Sequence, residues 1–197
     1  MNLPNSLTLL RVLLIPVFIY FLSSSTMFNL TLGDRALIAA GIFFIASLTD
    51  GLDGYIARKT GQITKLGKLF DPIADKLLTS AALILLVALD NQVPAWIAIV
   101  IIGREFAVTG LRAAASSEGY VIPAYEGGKA KMVFQIIAII ALLIDLGVKN
   151  VDLFGILDLE AWLIGTVAIW IAMLLALISG IQYFVQFWDK IGLREGM

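Results

Sequence analysis

Charged residues divide this chain into a series of uncharged, strongly apolar runs. The first covers residues 12–33, and the last covers residues 161–188 and is 28 residues long. Between them come 14 uncharged residues after Arg35 and 13 after each of Lys76, Asp90 and Lys131. A helix needs roughly 20 residues to cross about 30 Å of hydrocarbon, so the two outer runs span unaided. One of the shorter runs alone also fits a buried helix of a water-soluble domain. Several in succession favour spans whose ends carry charges that face the bundle interior or an interface. The pattern predicts six helices, at about 4–25, 33–58, 72–90, 94–116, 127–147 and 160–187. Pro16 is tolerable as a kink, and Asn5 or Ser6 behind Pro4 is expected to cap the first helix. Residues 116–126, with Gly119 and Pro123, and residues 149–158 read as connections. No repeat or low-complexity segment divides the chain. The expected fold is therefore one all-α integral membrane domain over residues 1–197, a six-transmembrane-helix bundle.

Composition sharpens this picture. The chain is 60% apolar and 15% charged, and its mean hydropathy is +0.95, far from a disordered or ordinary water-soluble chain. With 14 Lys+Arg against 15 Asp+Glu, the net charge of -1 leaves no cationic excess to hold a nucleic-acid backbone, so no nucleic-acid partner is expected. Cysteine and histidine are absent, which removes thiolate chemistry, disulfides, the usual zinc ligands and the usual general base. Chemistry here must run on carboxylates, Lys, Arg and cations bound by oxygen.

Folded into alternating crossings, the chain puts Arg11, Arg58, Lys59, Lys65, Lys68, Lys76, Arg104, Arg112, Lys129, Lys131, Lys190 and Arg194 on or near one side. Arg35 and Lys149 fall on the other. The positive-inside tendency makes the crowded side cytoplasmic, with both termini on it. A cleaved leader is the competing reading of the N-terminus, since small residues follow the apolar run at Ser23–Ser25. The lack of a basic residue before Arg11, and the break that Arg11 itself makes in that run, argue against it.

The acids of residues 50–75 carry the candidate chemistry. Asp50 and Asp53 are three apart and Asp71 and Asp75 four apart, so each pair shares a helix face. The connection between them can return two helix ends side by side and gather four carboxylates at the membrane surface. Such a group repels itself unless cations sit within it, and an all-oxygen set favours Mg2+ or Mn2+. Two bridged cations suit phosphoryl transfer. Two other readings stay open on spacing alone. The acids can form interfacial salt bridges with Arg58, Lys59, Lys68 and Lys76, or belong to a divalent-cation transporter, although transporters usually place such groups near the bilayer midplane.

The string Asp50-Gly51-Leu52-Asp53-Gly54-Tyr55-Ile56-Ala57-Arg58 is followed after eight residues by Gly67, after three by Asp71 and after three more by Asp75. It resembles the complete signature of the CDP-alcohol phosphatidyltransferase family, whose six-helix topology would cover almost the whole chain. The resemblance implies that Asp50, Asp53 and Asp71 bind one divalent cation and Asp50, Asp71 and Asp75 a second. Asp75 would also be the base for the acceptor hydroxyl. The implied reaction moves a phosphatidyl group from a CDP-linked lipid to an alcohol and releases CMP. Arg58 is then expected to donate to a phosphate, and Gly54 and Gly67 to let the nucleotide lie close to backbone. Gly51 and Gly54 would serve equally well as close helix contacts. Lys59, Lys65 and Lys68 read as a basic surface for anionic headgroups, worth roughly 1 kcal/mol each.

Further cations bear on the acceptor. Arg104 and Arg112 lie eight residues apart in the fourth predicted helix, and Lys129 and Lys131 open the fifth. A cavity lined by Arg104, Arg112 and Lys131 suits an acceptor that carries its own phosphate better than serine, choline or inositol. Anchoring at the cytoplasmic surface explains Lys129 well and Arg104 less well. The segments Asn2-Leu3-Pro4-Asn5-Ser6-Leu7-Thr8-Leu9-Leu10-Arg11, Gly103-Arg104-Glu105-Phe106-Ala107-Val108-Thr109-Gly110-Leu111-Arg112 and Gly128-Lys129-Ala130-Lys131 resemble the bacterial branch of the family whose acceptor is sn-glycerol 3-phosphate. Met132 departs mildly from that branch, in which a threonine is expected. The resemblance implies CDP-diacylglycerol as donor, with Asn5 and Thr8 facing its CDP end. It also implies a homodimer among membrane lipids and a multi-pass place in the bacterial inner membrane, with the site facing the cytoplasm. Among rival acceptors, Arg104 and Arg112 argue most strongly against serine and least against inositol phosphate.

Overall fold

A computed structural model describes the backbone of residues 3–24, 30–60, 65–90, 93–117, 119, 126–149 and 155–195. It describes the side chains of residues 9–24, 30–49, 73–89, 93–117, 130–149 and 160–188. Among the described residues there are six α-helices: α1 Leu3–Ser23, α2 Leu32–Thr60, α3 Lys65–Asp90, α4 Ala95–Ser117, α5 Glu126–Lys149 and α6 Gly155–Glu195.

The helix order matches the apolar pattern, and three ends differ from expectation. α1 begins at Leu3, so Asn5 and Ser6 lie inside the helix and neither is its cap. α3 begins at Lys65 and runs through Pro72, where the sequence reading had it start. A proline costs a helix one ladder hydrogen bond, and a helix already under way upstream survives that loss. Gly67 therefore lies in α3 and not in a loop. α6 has 41 residues, roughly 60 Å at 1.5 Å per residue, twice the hydrocarbon thickness, so it outruns its apolar stretch at both ends.

Local chemistry accounts for the start of α2. Thr31 and Asp34 form a capping box: the Thr31 amide and hydroxyl donate to Asp34 Oδ2 at 3.0 and 2.7 Å, and the Asp34 amide donates to Thr31 Oγ1 at 3.2 Å. Arg35 is buried beside it and donates to the Ser24 carbonyl just beyond α1 and, at 3.3 Å, to the Thr31 carbonyl. One guanidinium thus ties the end of α1 to the start of α2. Just beyond the end of α4, Gly119 takes a φ of 79°, a conformation that a side chain would strain.

The buried faces recur with helical spacing. On α2 they are Ala36, Ala39, Ala40, Phe43 and Ala46, and on α5 Ala138, Ile139, Leu142, Leu143 and Leu146. Small residues let backbones approach, which is how helices associate when lipid offers no hydrophobic contrast. α5 packs along both α6 and α2, α1 along α2 and α3, and α4 along α6. The outer surface is apolar too, with Ile99, Leu163, Ile181, Phe184 and Trp188 all more than half exposed. Segments Leu32–Thr49, Ala130–Lys149 and Glu160–Trp188 are long and apolar enough to cross a membrane, and Leu9–Ser23 is a shorter apolar helix. A surface of this kind belongs in lipid, and the chain is an integral membrane protein.

Gly165 and Gly147 mark the closest helix contacts. A Cβ at Gly165 would come 2.7 Å from Leu142 Cγ and 3.1 Å from the Leu142 amide nitrogen, whereas one at Gly41 would meet nothing within 4 Å. Replacing Gly165 with leucine should wedge α5 from α6 and cost about 1–3 kcal/mol, lowering the thermal unfolding midpoint in detergent. Gly41→Ala should shift stability by no more than about 1 kcal/mol, in the stabilising direction. Equal midpoints for Gly165→Leu and the parent would contradict this packing.

Candidate active site

Of the four aspartates, Asp50 and Asp53 fall in α2 and Asp71 and Asp75 in α3. The side chains of Asp50, Asp53, Gly54, Arg58, Gly67 and Asp71 lie outside the described residues, as do those of Asn5, Thr8 and Lys129. In sequence Asp50 directly follows the 14 uncharged residues after Arg35. Asp75 is described and half-buried, and its backbone carbonyl accepts from the Thr79 hydroxyl at 3.0 Å. Among the described residues no three carboxylates gather into a cation site. The donors available to α2 and α3 at this end are nonetheless oxygen atoms of carboxylates, the chemistry that Mg2+ and Mn2+ accept.

From Asp75 on α3 a chain of polar contacts reaches two more helices. The next residue, Lys76, donates through Nζ to the Thr109 hydroxyl on α4. The Thr109 hydroxyl in turn donates to the Glu105 carbonyl one turn back, at 2.7 Å. Glu105 is only 9% exposed and forms an ion pair with Lys131 of α5, itself 5% exposed. Charges sunk this deep persist only when paired, because removing either partner strands the other in a low-dielectric interior. Lys76 also senses Asp75, Arg112 and Lys131 electrostatically, so these groups share one neighbourhood.

The two arginines of α4 turn toward α6. Arg104 donates from Nε to the Ala176 carbonyl at 3.2 Å and from Nη2 to Ser179 Oγ at 2.7 Å. Arg112 donates from Nη2 to the Tyr183 hydroxyl. Gly180 leaves the room that Arg104 occupies, since a Cβ there would stand 3.1 Å from Arg104 Cγ. Of the cations expected around the acceptor, the structure thus links Arg104 and Arg112 through α6, and Lys131 to the same α4 face through Glu105. Arg112 stays exposed, while Lys131 is enclosed.

Sequence reasoning left several of these partners without a role. Glu105 had a usable signal, being a lone acid between Arg104 and a long apolar stretch. Ser179, Gly180 and Tyr183 had almost none, since they sit in an uncharged run with nothing to single them out. Lys76 read only as a salt-bridge partner of the aspartates, whereas its hydrogen bond goes to Thr109.

Known proteins give this arrangement its context. The family model described as CDP-alcohol phosphatidyltransferase matches residues 1–181. A CDP-diacylglycerol--glycerol-3-phosphate 3-phosphatidyltransferase of Bacillus subtilis is 44% identical over 196 residues, covering 96% of this chain and 97% of its own. Proteins of the same name from Rickettsia felis and Pseudomonas fluorescens are 39% and 40% identical. The first covers 93% of each chain, and the second 73% of this chain and 72% of its own. Aspartates at the end of the α2 apolar segment, cations converging on α4, and a match over residues 1–181 agree with one another: the chain belongs to the CDP-alcohol phosphatidyltransferase family.

Proposed function

We propose that this protein transfers the phosphatidyl group of CDP-diacylglycerol to sn-glycerol 3-phosphate, giving phosphatidylglycerophosphate and CMP. The names of its relatives support the donor and the acceptor. The observation that carries the acceptor class is the surplus of cation around α4. Among the described residues Lys76, Arg104, Arg112 and Lys131 lie near Glu105 and Asp75, four cations to two carboxylates, a balance that suits an acceptor carrying its own phosphate. A neutral alcohol would leave that surplus standing.

In this reading the protein is a single domain that crosses the bacterial inner membrane six times, with both termini and the active site toward the cytoplasm. It works as a homodimer among membrane lipids, which its exposed apolar helix faces permit. Asn5, Thr8, Gly54, Arg58 and Gly67 receive the CDP end of the donor, and Arg58 donates a bidentate pair of hydrogen bonds to the diphosphate. Arg104, Arg112, Lys129 and Lys131 hold the acceptor phosphate. Asp50, Asp53, Asp71 and Asp75 would hold two divalent cations, Mg2+ or Mn2+, which when bound supply Lewis acidity toward the reacting oxygens and offset charge on the diphosphate.

Asp75 accepts the proton of the acceptor's primary hydroxyl as that oxygen bonds to the lipid-linked phosphorus. The phosphorus–oxygen bond to the nucleotide breaks in the same displacement, and CMP leaves with the electron pair while Arg58 stabilises its charge. A direct displacement of this kind needs no thiol or imidazole nucleophile, and the chain contains neither. Lys76 sits beside the base, and its hydrogen bond to Thr109 ties the base's helix to the acceptor's helix.

CMP release by detergent-purified protein with CDP-diacylglycerol and Mg2+ tests the reaction, with glycerol 3-phosphate, inositol phosphate, serine or no acceptor in parallel. Glycerol 3-phosphate should stimulate release, and chelation of the cation should abolish it. Preference for inositol phosphate would overturn the acceptor assignment, and no release from folded protein with any acceptor would overturn the reaction. Asp75→Asn should lower kcat by about 10²–10⁴ with the thermal midpoint retained, and near-parental kcat would remove Asp75 from the role of base. Arg112→Ala should raise KM for glycerol 3-phosphate by about 10- to 100-fold and leave KM for the lipid donor in place. A change confined to the donor would move Arg112 out of the acceptor site.

A further inference from the structure

Tyr183 lies where α6 meets the cationic face of α4. It is 3% exposed and packs with Val108 and Ala115, which with Arg104 and Arg112 form one face of α4. Both guanidiniums stand over its ring: Arg112 Cζ is 4.7 Å from the ring centroid and Arg104 Cζ 5.8 Å. The Tyr183 hydroxyl accepts from Arg112 Nη2. One buried phenol therefore meets both arginines, its electron-rich face offsetting some of the repulsion between them.

These contacts use only part of the donor capacity on offer. A guanidinium carries five N–H groups in a rigid plane. Tyr183 takes one from Arg112, while Ser179 and the Ala176 carbonyl take two from Arg104. The contacts to α6 thus set the planes of both guanidiniums and leave N–H groups on each for a phosphate. Free in solvent, a long arginine side chain would lose rotamer entropy on binding its ligand, and a guanidinium already held in place loses less.

We propose that Tyr183 is a positioning residue for the acceptor, holding Arg112 and Arg104 in the arrangement that selects a phosphate-bearing alcohol. This rests on the reading above that these arginines receive the acceptor phosphate. Tyr183 touches neither reacting atom and acts through Arg112.

Steady-state CMP release by the purified full chain tests it, with CDP-diacylglycerol, Mg2+ and varied glycerol 3-phosphate. Tyr183→Phe keeps the ring and its packing and removes the hydroxyl. It should raise KM for glycerol 3-phosphate about tenfold, the usual loss for a hydrogen bond to a charged group. The kcat, KM for the donor and thermal midpoint should stay at parental values. In an Arg112→Ala background the same substitution should have no further effect, because the group it positions is gone. Ser179→Ala, which removes a contact to Arg104 without touching Tyr183, should also raise KM for glycerol 3-phosphate at constant kcat. The proposal is overturned if Tyr183→Phe leaves that KM unchanged, whatever Ser179→Ala does. It is equally overturned if the Tyr183→Phe and Arg112→Ala effects multiply independently, or if kcat and both KM values worsen together, the mark of a merely structural role. A parent enzyme with no response to glycerol 3-phosphate would instead overturn the acceptor reading itself, and a responsive parent with a neutral Tyr183→Phe would overturn the positioning role alone.

Discussion

Charge carried into an apolar bundle has to be answered inside it, and α4 is the helix on which that requirement falls hardest. Glu105 is enclosed and pairs with Lys131 of α5. Arg104 reaches oxygen atoms of α6, and Arg112 reaches the phenol of Tyr183. Lys76 brings α3 to the same place through Thr109. Stranding any one of these groups would leave a poorly solvated charge or an unmet donor, so helices that present so few polar atoms must meet at the positions where those atoms coincide. The register of α3, α5 and α6 against α4 follows from this need as much as from apolar packing.

The two ends of the bundle use charge for different purposes. At the end formed by the close of α5 and the α1–α2 corner, Asp145, fully buried, receives a hydrogen bond from Lys149 one turn on at 2.8 Å, and Arg35 closes that corner. The first contact pairs acid and base within α5, and the second ties α1 to α2. Around α4, among the described residues, cations outnumber carboxylates. A cluster with that balance has the charge to take up an anion such as a phosphate.

Much of the architecture was legible because a lipid environment leaves a coarse trace. Uncharged runs separated by charges indicate six helices in order, and the cations gather on one side. The helix ends were less legible. Pro72 looked like a start and the close of the apolar run near 187 like a stop, yet α3 begins before the first and α6 continues past the second, because neither outweighs a helix already propagating. The expected cap at Asn5 or Ser6 failed for the same reason, since α1 was already under way at Leu3.

What the sequence alone determined is the chemistry that depends on spacing along one or two helices. The carboxylates of residues 50–75 recur at three- and four-residue intervals around fixed glycines and an arginine, and that pattern is complete without knowing what lies opposite. The missing cysteine and histidine likewise restrict the reaction to oxygen ligands and carboxylate bases. Only the tertiary structure decided who partners the acceptor-side cations. Arg104 and Arg112 read as two guanidiniums facing a cavity, and their companions are Ser179, Gly180 and Tyr183, about 70 residues away. The physical reason is that a hydrogen bond between parallel helices leaves no periodic mark in either strand of sequence. A tyrosine in an apolar run looks the same whether it faces lipid or lies beneath two arginines.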